Sequence, residues 1–152
     1  MYLLDTDVFS MTSPVSGLRG AHAERWRDWV RRNEAVLYLS VITIMEVRFG
    51  IEKSEAKGAR QKAAQLKRWL AVAETAYRAR IIPVTVDIAH RAGELLQGAV
   101  AGGTTPSSED AIIAATADVQ KLHLLSRNSR DMKALQASWT DPLASLPGDF
   151  RQ

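Results

Sequence analysis

Met1-Tyr2-Leu3-Leu4-Asp5-Thr6-Asp7-Val8 opens the chain with a short apolar run that stops at an acid. A run of this length and type reads as a strand. Three further runs of strand length follow at residues 36–41, 81–85 and 123–126. Between them the apolar spacing turns helical, at 22–32, 43–57, 59–78, 86–100 and 107–121, with a short helix after Ser129. Trp26, Trp29 and Val30 share one face of the first of these, and Leu66, Leu70 and Ala73 form the stripe of the third. The 107–121 segment is nearly all apolar after its first turn and is expected to be buried. Strands alternating with helices imply a parallel sheet covered on both faces. The expected fold class is therefore α/β, a single-domain three-layer α/β/α arrangement around a central parallel sheet. Stretches that read as loops are short, at 13–20, 102–108 and from 141 onward. The chain reads as one unit over 1–152, with 141–152 as a C-terminal tail.

Composition narrows the chemistry. The 152 residues are 46% hydrophobic, enough for one sizeable core. A net charge of +3 with a pI near 9.4 is compatible with a phosphate-bearing partner but is common among ordinary proteins. The absence of cysteine removes disulfides, thiolate zinc sites and a cysteine nucleophile. The N-terminal residues have no basic stretch followed by an apolar core, and the apolar segment 36–47 is interrupted by Ser40, Thr43 and Glu46. No membrane span is expected, and the cytoplasm is the expected compartment.

The acids fall in a pattern. In open α/β sheets, ligands bind outside the carboxyl ends of the strands. Asp5 ends the first strand, with Asp7 two residues on. Alone, Asp5 is as well explained as a turn or helix-capping residue, a part that Thr6 also fits. Glu46 sits early in the next helix, where its helical neighbours are Ile42, Phe49 and Gly50. A glutamate on an apolar face is costly to bury unless paired or bound to a cation. Asp110 shares a face with Ile113, Ala114 and Ala117, while Ser107 and Asp110 have the spacing of a capping box. Asn128 and Asp131 follow the last strand, flanked by Arg127 and Arg130, which suit phosphate. Four strand-to-helix junctions thus offer an acid or amide to one sheet edge. Clustered carboxylates repel, and a hard divalent cation relieves the repulsion. Oxygen-only donors select Mg²⁺ or Mn²⁺ over zinc, and such a site suits phosphodiester cleavage.

These residues resemble the motifs of the PIN-domain family, in particular the VapC-like and FitB-like toxins of bacterial toxin–antitoxin pairs. Leu3-Leu4-Asp5-Thr6-Asp7-Val8 is similar to the opening motif, and residues 39–47, with the central Glu46, to the second. Glu109-Asp110-Ala111-Ile112-Ile113 resembles the third acidic motif, and Ser126-Arg127-Asn128 with Asp131 the fourth. The resemblance implies that Asp5, Glu46 and Asp110 are metal-site acids, with Asn128 or Asp131 completing the pocket and Asp131 counted among the candidate ligands. It implies a Mg²⁺- or Mn²⁺-dependent ribonuclease with RNA as substrate, a homodimer, and a cognate antitoxin. The antitoxin's expected seat is a groove faced by Trp26, Trp29 and Val30 or by the 43–57 helix. Two positions depart from the family pattern: Asp7 replaces the usual Asn, and Asp131-Met132 the usual Asp-Phe.

Two other readings stand beside it. Asp5-Thr6-Asp7-Val8 also fits the signature of haloacid-dehalogenase-like phosphatases, with Asp5 as nucleophile and Asp7 as general acid. That reading lacks a convincing downstream Lys and acid pair and leaves Glu46 and Asp110 without a role. The other is a non-catalytic PIN-like module that binds RNA or protein. His22, His90 and His123 lack metal-ligand spacing.

Overall fold

The computed structural model describes residues 1–148, so the last part of the tail lies outside the described residues. Five parallel strands form the sheet: β1 (Tyr2–Leu4), β2 (Leu37–Ser40), β3 (Ile81–Ile82), β4 (His123–Leu125) and β5 (Trp139–Thr140), in the order β3-β2-β1-β4-β5. The helices are α1 (Thr6–Ser10), α2 (Gly20–Asn33), α3 (Val41–Ala56), α4 (Arg60–Ala76), α5 (Val86–Ala101), α6 (Ser108–Val119) and α7 (Ser129–Ala134).

Period-two alternation on β1 builds the layers. Leu4 faces one core together with Leu39 and Leu125, its register partners on β2 and β4. Leu3 faces the other, where its partner Leu124 also lies. Helices α1 to α4 cover the first face and α5 to α7 the second. This is the expected three-layer α/β/α sandwich. Trp26 and Trp29 are 0% and 1% exposed and stack on each other in the first core. They belong to the interior, so the face they share lines no groove.

The differences from expectation are local. Strand β3 keeps only two residues of the expected 81–85, because Pro83 has no N–H to continue the ladder and Thr85 caps α5. The five-residue α1 and the two-residue β5 are too short for a periodic signal. Residues 141–148 form no strand or helix but pack back: Leu143 and Leu146 touch the first core, and Trp29 Nε1 donates to the Pro147 carbonyl at 2.8 Å.

A sheet whose first strand is central has its connections diverge there. From β1 the chain moves outward to β2 and β3, then returns across β1 to β4 and β5. Such a switch point leaves a crevice at the strands' carboxyl ends. Asp5 stands at that point.

Candidate active site

Asp5 caps α1: its carboxylate accepts the Thr6 N–H at 2.7 Å. The cap is therefore Asp5, not Thr6. Its other oxygen accepts the Ser126 hydroxyl at 2.6 Å, at the end of β4. The residue is only 4% exposed, and burial pushes its carboxyl up to about 7. The neighbouring charges of Asp7 and Asp110 push the same way, while the two hydrogen bonds pull against them.

Glu46 lies in the second turn of α3, whose N-terminus Ser40 caps by accepting the Ile42 N–H. The expected apolar surround is only partly present. Phe49 is 68% exposed and Gly50 is open, so Glu46 is half-buried at the rim rather than sunk in the core. Its carboxylate is held by the Thr6 hydroxyl, which donates to Oε2. Partial burial raises its pKa first, and Asp110, Glu109 and Asp7 add to the rise.

Asp110 reaches the same edge by a different route from the one expected. Helix α6 follows α5, not a strand, and the two run antiparallel, with Arg91 near the start of α5 bonded to Asp118 near the end of α6 at 2.6 Å. The hairpin carries Asp110 to the crevice. Ser107 caps α6 by accepting the Asp110 N–H at 3.0 Å, but the return bond runs from its hydroxyl to Asp110 Oδ2 at 2.9 Å rather than from its backbone N–H. Ile113, Ala114 and Ala117 are buried below, as their spacing requires. The pKa of Asp110 is raised, chiefly by desolvation.

Asn128 caps α7 and spans two acids, donating from Nδ2 to Asp131 at 3.0 Å and to Asp110 at 3.4 Å. Its own N–H donates to Ser126 Oγ at 3.0 Å. Asp5, Thr6, Asp7, Glu46, Asp110 and Asn128 line one cleft of ≈ 370 Å³. Asp131 is not part of that lining; it stands behind Asn128. Asp7 accepts the Arg127 N–H at 3.1 Å. Desolvation raises its pKa, and the Arg127 backbone bond and charge oppose the rise; because the residue as a whole is exposed, solvent screens the effect more than at Asp5. Arg127, before α7, and Arg130, in its first turn, are both exposed.

Three members of the site escaped the sequence reading: Thr6 and Ser126, which hold Glu46 and Asp5, and Asp7 as a lining carboxylate. A hydroxyl within two residues of a strand's carboxyl end is the signal that marks the first two. Among the described residues, no three acidic or histidine side chains converge closely enough to cage a metal ion as they stand. Each carboxylate instead turns to a hydroxyl, amide or N–H of its own neighbourhood. A larger hollow of ≈ 410 Å³ lies between α5, α6 and the end of α7. Its charges are spent on one another, with Arg91 bonded to Glu94 at 2.9 Å and to Asp118 at 2.6 Å.

Residues 2–137 match the family model described as PIN domain. Ribonuclease VapC10 of Mycobacterium tuberculosis is 32% identical over 130 residues, which cover 84% of this chain and 83% of that protein. Among solved structures, a toxin–antitoxin complex from Klebsiella pneumoniae is similar with a TM-score of 0.64 and 28% identity, over 93% of this chain and 98% of that one. FitAcB from Neisseria gonorrhoeae has the same fold with a TM-score of 0.69 at 24% identity, over 93% of this chain and 98% of that one.

Proposed function

The chain belongs to the PIN domain family, and we infer that it is a ribonuclease acting as the toxin of a toxin–antitoxin pair, with a divalent cation held by Asp5, Glu46 and Asp110. One observation carries the site assignment: acids from three distant segments and an amide from a fourth line one cleft, where burial and mutual repulsion raise the acids' pKa values. Such a set is poorly balanced as it stands and gains from a cation. The donors are all oxygen, which favours Mg²⁺ or Mn²⁺.

When bound, the ion supplies positive charge for the phosphate and acidifies water at the site. The remaining roles fall to the chain. Asp5, Glu46 and Asp110 hold the site's geometry, and Asn128 Nδ2 is available to donate to a phosphate oxygen. Asp131 orients Asn128 and acts at one remove. Arg127, beside Asp7, and Arg130 supply charge for the RNA backbone. The antitoxin is a protein segment that brings a cation to the same acids and so competes for the cleft. The exposed apolar stripe of Val41, Met45 and Phe49 on α3 is the surface we assign to pairing of two copies.

The phosphatase reading is disfavoured. Glu46, Asp110 and Asn128 line the same cleft as Asp5, and that reading gives the first two no role. The deciding experiment is RNA cleavage with Mg²⁺ or Mn²⁺, with EDTA, and with Asp110→Asn. Cleavage is expected only with metal and is expected to drop by about 100-fold or more in the variant. Undiminished cleavage in EDTA by nuclease-free protein, or full activity of Asp110→Asn, sinks the assignment.

A further inference from the structure

A second hollow, of ≈ 360 Å³, opens beside the carboxylate cleft between α1, α3 and α4. The two share Thr6, Asp7 and Glu46, so a ligand lying in the hollow ends at the acids. Its lining has three parts suited to one kind of occupant. Trp69 of α4 is half-buried, and the ring of Phe9 backs it at a centroid distance of 4.8 Å and a 30° tilt. The hollow thus has an aromatic side chain in its lining, steadied by a second ring. Arg127 and Lys62 are exposed and also line the hollow; Arg127 lies beside Asp7, whose carboxylate feels its charge, and among the described residues Lys62 makes no ion pair. Ser10, Ser13 and Ser54 add hydroxyls.

Gly50 supplies an independent observation. It lies inside α3, where glycine costs about 1 kcal/mol relative to alanine. Close packing does not require it, since a Cβ there meets nothing within 4 Å. The space it leaves is part of the hollow.

Resting on the ribonuclease reading, we propose that this hollow is a nucleotide subsite: the base of a nucleotide flanking the cleaved phosphate stacks on Trp69, and its backbone is held by Arg127 and Lys62. Stacking on an aromatic face accepts any base, and cations at the edge track phosphates. A protein segment would use the apolar floor of Val47, Ile51 and Leu66 but gives the cations Arg127 and Lys62 no role.

The test uses the Asp110→Asn chain in EDTA with single-stranded RNA octamers in which each position in turn lacks its base. In that background, one or two abasic positions are expected to weaken binding about tenfold or more. Trp69→Leu, which keeps apolar bulk, is expected to weaken intact RNA by a similar factor and to flatten the abasic profile. Gly50→Leu, placed in open space, keeps the fold by thermal melt and weakens intact RNA through occlusion. Unchanged RNA affinity in both variants overturns the subsite and leaves the hollow to a protein segment. An abasic profile retained in Trp69→Leu also overturns it. Cleavage by the unsubstituted chain is scored separately. RNA bound through Trp69 but never cut defeats the ribonuclease reading alone, and RNA cut with Trp69→Leu indistinguishable from the parent defeats the subsite alone.

Discussion

Asp5 joins two roles that the sequence offers as alternatives. It caps α1 with one oxygen and faces the cleft as the only buried acid among the described residues. Its carboxyl, pushed up to about 7 by burial, makes a signed prediction for the metal-free protein. The folded pKa exceeds the unfolded one, so the folded state holds the proton more tightly. Stability is then greatest below about pH 4 from this group alone and declines as pH rises to about 7, by on the order of a few kcal/mol. Melts of the EDTA-treated protein across that window are expected to flatten in Asp5→Asn; an unchanged slope removes Asp5 as the cause. With metal present, cation and proton compete, so cleavage is expected to rise through the same window. Ser126→Ala removes a bond that lowers the Asp5 pKa, so the rise is expected to move to higher pH. A profile moved downward, or not at all, contradicts that role.

The ends of the helices carry the next scale. Helices α6 and α7 close with paired reverse bonds. Leu122 N–H reaches the Ala117 carbonyl at 2.9 Å and Lys121 N–H the Asp118 carbonyl at 3.2 Å; Ala137 N–H reaches Met132 at 3.0 Å and Gln136 N–H reaches Lys133 at 3.1 Å. That closure needs a left-handed residue, and Lys121 and Gln136 take it with φ of 55° and 53°. After α5 the same position is Gly103, with φ of 82°. A side chain in this conformation is strained, and glycine relieves the strain at some cost in unfolded-state entropy. Lys121→Gly and Gln136→Gly are each expected to stabilise by about 0.5–1 kcal/mol. Chemical denaturation of each variant measures it, and destabilisation by either would mean that its side chain makes a contact worth more than the strain.

For the whole molecule, α3 presents two surfaces. Val47 and Ile51 enter the core, while Val41, Met45 and Phe49, one turn apart, lie exposed on the helix that carries Glu46. If two copies pair there, Phe49→Lys is expected to shift the chain from dimer to monomer in sedimentation or light scattering, with its melting temperature as a monomer preserved. A dimer that survives the substitution places the contact elsewhere. The tail is bound into the same whole: Leu143, Leu146 and Pro147 pack against the layer that holds Trp29.

What could be read from the chain was what neighbours within one turn decide. The alternation of Leu3 and Leu4 assigns opposite faces, Ser107 announces the start of a helix, and the apolar run after Asp110 announces burial. The acids could be named because they punctuate these local patterns. Cleft membership was settled over longer range. Thr6 meets Glu46 across 40 residues, and Ser126 meets Asp5 across 121. The strand order that sets β2 and β4 on either side of β1 decides those meetings, and no local period encodes it. For the same reason Asp131 stands behind Asn128, Phe49 faces out, and the tryptophans of α2 are interior. The sequence by itself determined the elements and the acids at their ends, because caps and periodicity are short-range physics. Only the tertiary structure decided which hydroxyls, amides and rings join those acids, because packing two layers on one sheet selects partners that sequence distance conceals.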